Sequence, residues 1–301
     1  MPGEILVGTA SWTDPTLIKL CSFYPPDAKT PEDRLRFYAS QFDLVEVDSS
    51  YYALPSIDNS HRWLQRTPDN FTFDFKAFRL FTLHRTPLTS FPKDLREEAQ
   101  EFATSKETVY YPDLSKSLQD DLWQRFRDGI EPLRASGRLG YVLIQLPPWA
   151  MKNRGNLRHI EECASRLEGI RVAVEFRNHT WFKDGERREL FAFLREQDLA
   201  FVNVDEPQGS FSSVPPLWET TSADLAVVRF HGRNVENWTK RNISAAERFD
   251  YQYSLAELED FVPRMQGLAR GSRSVHALFN NCYSDKATTN ARQLAELLAS
   301  N

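Results

Sequence analysis

The chain has 301 residues, of which 37 are Lys or Arg and 42 are Asp or Glu, so its formal net charge is −5. A non-specific duplex-binding protein usually carries a basic excess, because phosphate neutralisation supplies its affinity, so a nucleic acid is an open but unfavoured partner. With 41% hydrophobic and 26% charged residues, the chain has enough apolar surface to fold, which excludes disorder as its main state.

The first half of the chain alternates short apolar runs with amphipathic stretches of helical period. Strands are predicted over residues 5–9, 44–47 and 71–75. A helix is predicted to begin after Thr30, because Thr30 and Asp33 match a capping box and Pro31 suits the first turn. Further helices are predicted over residues 58–66 and 118–133. Between them lies a long excursion, residues 77–117, with a helix predicted over 92–102.

The second half repeats the same alternation more regularly. Strands are predicted over residues 141–146, 172–176, 200–204, 225–230 and 275–279. Helices are predicted over residues 157–167, 186–197, 255–268 and 285–298. Residues 205–224 contain Pro207, Gly209, Pro215 and Pro216, so a non-helical loop is predicted after the sixth strand. A polar loop is predicted after the seventh.

Eight strands, nearly all followed by a helix, predict an α/β fold, a parallel eight-stranded (β/α)8 TIM barrel in a single domain spanning residues 1–301. The rival is an open doubly wound sheet, which usually carries a Gly-rich phosphate turn after its first strand. Here that turn reads GTASW, with neither GxGxxG nor GxxxxGK[ST], so the barrel is favoured and no nucleotide cofactor is expected.

The environment of the protein is predicted from cysteines and apolar segments. Cys21, Cys163 and Cys282 are far apart and no CxxC is present, which favours a reducing compartment over a disulfide framework. The N-terminus has no basic region or long apolar stretch typical of a signal peptide. No window approaches the roughly 18 uncharged apolar residues of a membrane span. A cytoplasmic protein without membrane contact is therefore expected.

Polar residues stand at the ends of most predicted strands, where TIM barrels place their active sites. They are Glu46, Asp48, Lys76, Gln145, Glu175, Arg177, Asp205, Arg229, His231, Asn280 and Asn281. Burying such charges separately would cost several kcal/mol each, so one shared polar pocket explains them better. A purely structural ion network at the barrel end is the alternative.

The spacing of these residues suggests roles. Glu175 and Arg177 are two apart and face the same side of a strand, and Arg229 and His231 repeat that spacing. Together with Lys76, the two arginines predict an anionic ligand. A divalent metal is an open alternative, with candidate ligands Glu46, Glu175, Asp205 and His231, although no metal motif such as HExxH is present.

Motifs along the whole chain carry a family resemblance. VGTASW, FYPP, VEVDSSYYALPS, FTFDFKAFRLFTLH, QLPP, VEFRNHTW, VRFHGR, FDYQYSLAEL and FNNCYSDKATTNARQL occur in that order. This pattern resembles the DUF72, or YecE-like, family from about residue 5 to 298. The resemblance implies a TIM barrel and leaves the reaction open. The positions it marks are Glu46, Lys76, His84, Gln145, Glu175, Arg177, Trp181, Arg229, His231, Gly232, Asn280 and Asn281.

The resemblance implies four departures from the family pattern, one of which is Ala10, where many members have Ser. Many members have Gly where this chain has Ser11, Asn where it has Asp48, and His where it has Asn178. Asp48 would add negative charge to the barrel mouth. The family barrel also looks similar to the endonuclease IV and xylose isomerase type, which is an analogy of fold alone.

The leading hypothesis is a hydrolase or lyase that acts on an anionic phosphate- or carboxylate-bearing substrate by general acid–base chemistry. Glu175 is the predicted base and His231 the partner acid, with Glu46 and Lys76 as further catalytic residues. The predicted substrate-binding residues are Arg177, Arg229, Gln145, Asn280, Asn281, His84, Trp12, Tyr51 and Trp181. One alternative is a metal-dependent DNA- or RNA-processing nuclease. Another is a non-catalytic module that binds a phosphorylated metabolite or a partner protein. The sequence leaves the oligomeric state open.

Overall fold

The structure of the protein is a computed structural model that describes residues 2–20, 23–104, 106–183, 185–210 and 212–300. Cys21 lies outside these residues, whereas Cys163 and Cys282 lie within them as free thiols. Within the same ranges, no helix has both the length and the apolar character needed to cross a membrane.

The described residues form ten strands and eleven α-helices. The strands are β1 (Glu4–Thr9), β2 (Leu44–Val47), β3 (Thr72–Lys76), β4 (Thr86–Pro87), β5 (Thr108–Val109), β6 (Leu139–Gln145), β7 (Val172–Glu175), β8 (Ala200–Asp205), β9 (Ala226–Phe230) and β10 (Ser274–Phe279). The helices are α1 (Pro15–Lys19), α2 (Pro31–Ala39), α3 (Ile57–Arg66), α4 (Arg96–Gln100), α5 (Lys116–Ala135), α6 (Arg154–Arg166), α7 (Glu186–Glu196), α8 (Val235–Trp238), α9 (Ala245–Arg248), α10 (Leu255–Gly271) and α11 (Lys286–Ala299).

Eight of these strands close a barrel in the order β1-β2-β3-β6-β7-β8-β9-β10, with β10 pairing again with β1. The predicted TIM barrel is confirmed, and each predicted strand lies within two residues of an observed one. All barrel pairings are parallel, so the carboxyl ends of the eight strands meet at one end of the barrel. This end is called the mouth below.

Burial on both faces explains why the strand sequences are continuous apolar runs. Every residue of β7 (VAVE) and of β9 (AVVRF) is buried. The polar members of these strands, Glu175 and Arg229, therefore lie away from water and need partners inside the barrel. The strand sequences thus bring charge into the core at defined positions.

Helix α2 begins as predicted. The Thr30 hydroxyl accepts the Asp33 N–H at 3.1 Å, and the Asp33 carboxylate accepts the Thr30 N–H at 2.9 Å, which completes the capping box of α2. The short helix α1 was not predicted. Its cap is Asp14, whose Oδ1 accepts the Thr16 N–H at 2.7 Å.

The excursion over residues 77–117 folds back to the barrel mouth. β4 and β5 pair antiparallel within it, and α4 is shorter than the helix predicted over 92–102. The Arg79 N–H donates to the Tyr51 carbonyl at 3.0 Å, which ties the start of the excursion to the segment after β2. This tie places His84, a few residues further on, beside Tyr51.

The connections after β8 and β9 differ from each other. The described residues between β8 and β9 contain no helix, as the prolines predict. The loop after β9 was predicted as a polar loop, and it contains α8 and α9, the second of which begins with a capping box between Ser244 and Glu247. Gly232 turns the chain into this loop at φ +80, where a Cβ would meet the Tyr251 side chain at 2.6 Å.

Candidate active site

A pocket of about 580 Å³ opens at the barrel mouth, a volume typical of small-molecule sites. Its walls come from segments that follow β1, β2, β3, β6, β7, β9 and β10. Its polar lining includes Ser11, Thr13, Asp14, Asp48, Ser49, Tyr51, Tyr52, Lys76, His84, Gln145, Arg177, Arg248 and Asn280. The pocket therefore lies where the barrel fold predicts an active site.

Glu175, fully buried at the end of β7, is the centre of a hydrogen-bonded cluster next to this pocket. Its Oε1 accepts from Gln145 Nε2 at 2.7 Å, from Arg177 Nη1 at 3.1 Å and from His231 Nε2 at 3.1 Å. Its Oε2 accepts from Arg229 Nη1 at 2.5 Å. Burial alone would raise the pKa of Glu175, but the Arg229 and His231 partners bring it well below the ordinary value. Glu175 is therefore an ionised anchor for four donors.

Arg229 joins two carboxylates inside the barrel. Its second amino group, Nη2, donates to Glu46 Oε1 at 2.7 Å, and all three side chains are inaccessible to solvent. Glu46 Oε2 has no hydrogen-bond partner among the described residues. Burial raises the pKa of Glu46 to about 7, against the opposing charges of Arg229 and Lys76. Glu46 is thus the carboxyl of this cluster that changes protonation near neutral pH.

His231 is held between two strands by hydrogen bonds at both ring nitrogens. Its Nε2 lies 3.1 Å from Glu175 Oε1, and its Nδ1 lies 2.9 Å from Asn280 Nδ2. Burial lowers the pKa of His231 to about 4, so the ring is neutral at pH 7. Because Asn280 Nδ2 donates to Nδ1, the network assigns the single ring proton to Nε2, which donates to Glu175. Both nitrogens are therefore occupied.

Arg177 connects the buried cluster with the pocket. Its side chain is 12% exposed and lines the pocket, while Nη1 donates to Glu175. Its Nε lies 3.7 Å from Glu206 Oε2, and the Trp238 ring covers its guanidinium at 4.9 Å. Burial raises the pKa of Glu206 to about 7 against the charge of Arg177. Glu175 and Trp238 therefore hold Arg177 in place, and Glu206 lies beside it without a hydrogen bond to it.

Lys76 is the second cation that reaches the pocket from a strand end. Its Nζ lies 3.1 Å from Asp48 Oδ1 and 4.5 Å from the centre of the Tyr51 ring. Burial alone would lower the pKa of Lys76, but Asp48 raises it above the ordinary value. A lysine must lose its proton before it attacks carbon, so Lys76 is better suited to bind an anion than to act as a nucleophile.

His84, carried by the excursion, is the histidine that lines the pocket. Its ring lies between Tyr51 and Trp149, with centroid distances of 5.3 and 5.6 Å, and Nδ1 is 2.9 Å from Thr82 Oγ1. The structure shows no hydrogen-bond partner for Nε2 among the described residues. Burial lowers the pKa of His84 to about 3, with Lys76 adding to the effect. The ring is therefore neutral and has a free nitrogen.

The structure brings most of the predicted site residues together. Glu46, Glu175, Arg229 and His231 form the buried cluster, but they do not line the pocket themselves. Lys76, Gln145, Arg177, Asn280, His84 and Tyr51 line it. The predicted base Glu175 and the predicted acid His231 have their hydrogen-bonding positions occupied by protein groups. Neither is therefore free to exchange a proton with a ligand in the pocket.

Four predicted substrate-binding residues are not brought to the pocket, and one of them, Arg229, lies in the buried cluster. Trp12 is buried and packs edge-on against Trp63, with ring centres 5.6 Å apart. Trp181 is buried against Phe176 and donates its indole N–H to a backbone carbonyl at 2.7 Å. Asn281 is buried and donates to the Tyr251 carbonyl at 2.9 Å. These side chains stabilise the segments behind the mouth instead of facing a ligand.

Asp205 is also separated from the residues with which it was grouped as a metal ligand. Its carboxylate accepts from Arg233 at 2.7 Å and from the Tyr253 hydroxyl at 2.7 Å. Alternate side chains of a strand face opposite sides, and the neighbouring Glu206 takes the side that faces Arg177. The prediction was thus one residue away from the carboxylate that lies beside Arg177.

The remaining metal candidates do not fit a metal ion. Between the carboxylates of Glu46 and Glu175 lies the Arg229 guanidinium, so a positive charge already occupies the position a cation would take. In the described part of the chain, no three His, Cys, Asp or Glu side chains are grouped as a metal site requires.

Several residues in or beside the site were not predicted as site residues from the sequence. Glu206 could have been found by following the alternation along β8. Asp14, Arg248 and Trp149 lie in loops, where no periodicity indicates the direction of a side chain. Arg248 has a structural task as well, since its guanidinium donates to the carbonyls of Asn237, Trp238 and Lys240 and closes the loop after β9.

The fold and this geometry define a TIM-barrel protein with a charged pocket at its mouth, supported by a buried ionic cluster. Residues 6–301 match the family model described as protein of unknown function DUF72, and the chain belongs to this family. The chain is 30% identical over 297 residues to the UPF0759 protein YunF of Bacillus subtilis (strain 168). The aligned region covers 98% of this chain and 94% of YunF.

Solved structures of relatives agree with the fold. A DUF72 family protein from Thermotoga maritima MSB8 is 29% identical, with a TM-score of 0.76, covering 98% of this chain and 99% of that one. A second, from Enterococcus faecalis V583, is 24% identical, with a TM-score of 0.79, covering 98% of this chain and 95% of that one. The family resemblance drawn from the motifs is thus confirmed.

Proposed function

We propose that the protein is an enzyme, a hydrolase or lyase, which binds a small anionic substrate at the barrel mouth and transfers a proton through His84. The observation that supports this most directly is the lining of one pocket by two fixed cations and a neutral histidine. The cations are Lys76 and Arg177, whose side chains are 13% and 12% exposed. Cations of this kind stabilise the negative charge that develops in hydrolysis or elimination.

The cations keep their positions because the protein holds each of them by its own carboxylate. Asp48 holds Lys76, and Glu175 holds Arg177. A preorganised donor loses little entropy when it binds an anion, and partial burial strengthens the attraction. The site is therefore built for a phosphate or carboxylate group.

Proton transfer is assigned to His84 and not to Glu175 or His231. The Nε2 of His84 is unoccupied, whereas both nitrogens of His231 and both oxygens of Glu175 already have partners. Burial, and then Lys76 and Arg79, keep the pKa of His84 low in the free protein. A bound anion offsets these positive charges, so it raises the pKa of His84 and makes the ring a better base when substrate is present.

The proposal is tested with a panel of phosphate monoesters and carboxylate esters, followed by NMR for product formation. The wild type is compared with His84→Asn and with His61→Asn, which alters an exposed histidine on α3. We expect wild type and His61→Asn to turn over the same compound, and His84→Asn to lose at least about 100-fold in kcat, the usual contribution of general acid–base catalysis.

Binding is followed separately by the shift in melting temperature with inorganic phosphate. Stabilisation by phosphate without turnover of any compound would overturn the enzyme proposal in favour of a binding module. Equal kcat values for His84→Asn and wild type would overturn the assignment of His84.

A further inference from the structure

We propose that the substrate is an anionic monosaccharide, a single sugar ring that bears a phosphate or carboxylate group. This inference rests on the proposed function, because it concerns the same pocket. Three walls of the pocket carry it: a cationic wall, an acidic and hydroxyl-rich wall, and an aromatic wall between them.

Arg177 and Asp14 lie on opposite sides of the mouth, whereas the second cation, Lys76, lies 3.1 Å from Asp48. In the closed barrel, β1 and β7 are separated by three strands in either direction, so the segments that follow them face each other. Arg177 follows β7, and Asp14 follows β1. Asp48, at the end of the neighbouring strand β2, extends the acidic wall. A ligand that fills the pocket therefore meets opposite charges at its two ends.

The acidic wall selects a ligand end that donates hydrogen bonds. Asp14 uses Oδ1 to cap α1, and Asp48 uses Oδ1 to bind Lys76. The Oδ2 atoms of both residues have no hydrogen-bond partner among the described residues. A simple anion would be repelled here, whereas neighbouring sugar hydroxyls can donate to these oxygens. The hydroxyls of Ser11, Thr13 and Ser49 line the same wall and add further donors and acceptors.

The aromatic wall is a row of rings along the segments after β2, β3 and β6, of which Tyr51, Tyr52 and His84 line the pocket and Trp149 continues the row beyond that lining. Tyr52, Tyr51, His84 and Trp149 follow one another with centroid distances of 5.0, 5.3 and 5.6 Å. The two end members, Tyr52 and Trp149, are 54% and 58% exposed although they are large and apolar. The C–H bonds of a sugar face carry slight positive charge and pack against the negative face of such rings.

The ring geometry favours a sugar over a nucleotide base. Consecutive rings of the row meet at interplanar angles of 88°, 84° and 72°, so no two neighbours form a parallel-sided slot for a flat base. Two cations also lie over the Tyr51 ring, Lys76 at 4.5 Å and Arg79 at 5.3 Å from its centre, which leaves less of it open to a stacked base. A hydroxylated ring with one anionic substituent satisfies all three walls.

The test is isothermal titration of the purified full chain with glucose 6-phosphate, glucuronate, glucose, inorganic phosphate, acetate and AMP. We expect at least one of the two anionic sugars to bind at least tenfold more tightly than glucose. It should also bind at least tenfold more tightly than its simple anion, which is inorganic phosphate for glucose 6-phosphate and acetate for glucuronate. The two sugars distinguish a phosphate from a carboxylate as the anionic group. Tighter binding of AMP than of both sugars would overturn the inference.

Single substitutions measure the contribution of each wall to binding separately. Asp48→Asn removes charge while keeping shape, so it should reduce the preference for the anionic sugar over phosphate alone by about tenfold. Trp149→Ala should weaken sugar binding and leave phosphate binding unchanged, and Tyr110→Ala, an exposed aromatic outside the pocket, is the matched control. Phosphate or acetate binding as tight as sugar binding would overturn the inference while the proposed function stands. No binding of any anion would count against both.

Discussion

The side chains of Glu175 and Arg229 meet at 2.5 Å inside the barrel, although their strands β7 and β9 are not neighbours. Both side chains are completely buried. A buried ion pair costs desolvation, which good geometry and additional hydrogen bonds must offset. Here the additional bonds come from Gln145, Arg177 and His231, which all donate to the same carboxylate. The pair therefore organises the floor beneath the pocket.

Replacing Arg229 by Met should destabilise the protein strongly. The substitution leaves the carboxylates of Glu46 and Glu175 buried without their shared cation, and breaking a buried pair on one side costs about 3–5 kcal/mol. The free energy of unfolding, measured by urea denaturation, checks this. The control is Arg273→Met, which removes an exposed ion pair with Asp224 and should cost less than about 1 kcal/mol. Equal effects of the two variants would contradict a central role for the Glu175–Arg229 pair.

A second prediction concerns the tautomer and charge of His231. Asn280→Asp places a carboxylate against Nδ1, which favours the protonated ring and should raise the pKa of His231 from about 4 by about one to three pH units. Asn280→Ala, which adds no charge, should leave the pKa low. NMR titration of the His231 ring protons checks both variants. If the Asp variant titrates as the wild type does, the contact between residue 280 and Nδ1 does not exist in solution.

Much of the fold could be predicted from the sequence, because barrel strands are buried on both faces and therefore read as continuous apolar runs. The strand over residues 44–47 was predicted to the residue. The site was predictable to the extent that its residues stand at strand ends, as Lys76 and Glu175 do. It was harder to judge which face of a strand a given side chain lies on. For this reason Asp205 was predicted as a residue of the mouth, whereas Glu206 is the carboxyl group that lies beside Arg177.

The division between a buried cluster and an open pocket could not be predicted. It depends on depth along the barrel axis and on which loops cover the mouth, neither of which is encoded in local periodicity. Glu175 was therefore predicted as a base, although four donors saturate it. Trp181 was predicted to contact substrate, since a motif shows that a residue recurs in a family pattern but not which way it faces. Trp149, which packs against the pocket-lining His84, lies in an irregular loop.

The stability of the protein should depend on pH through Glu206. Its pKa is about 7 in the fold against an ordinary value of 4.5, so the fold favours the protonated form. The stability that this preference contributes is complete below about pH 4.5 and is lost as the pH rises through about 7. Relative to Glu206→Gln, the wild type should therefore lose about 2–3 kcal/mol of stability between pH 5 and pH 8.

Urea denaturation of both proteins at the two pH values checks this difference. Glu46, whose pKa is also about 7, is present in both proteins, so its own pH dependence cancels. A wild-type-minus-variant difference that stays constant with pH, or that grows as the pH rises, would show that Glu206 is ionised in the fold throughout this range.

Ser11 is the position at which a substitution should stabilise the protein. It has a φ of +148°, in the region that favours glycine, and it follows β1 at the rim of the pocket. Such backbone strain in a residue with a side chain costs on the order of 1–3 kcal/mol. Ser11→Gly relieves it but loses the hydrogen bond from the Thr13 N–H to the Ser11 hydroxyl, so a net gain of about 1 kcal/mol is expected. Thermal and urea denaturation measure the gain. The matched control is Ser40→Gly at a φ of −83°, where glycine increases the freedom of the unfolded chain and loses the hydrogen bond from the Ser40 hydroxyl to the Phe37 carbonyl, so it should destabilise. If both glycine variants are destabilised alike, Ser11 carries no strain, and its backbone conformation is as favourable as that of any other loop serine.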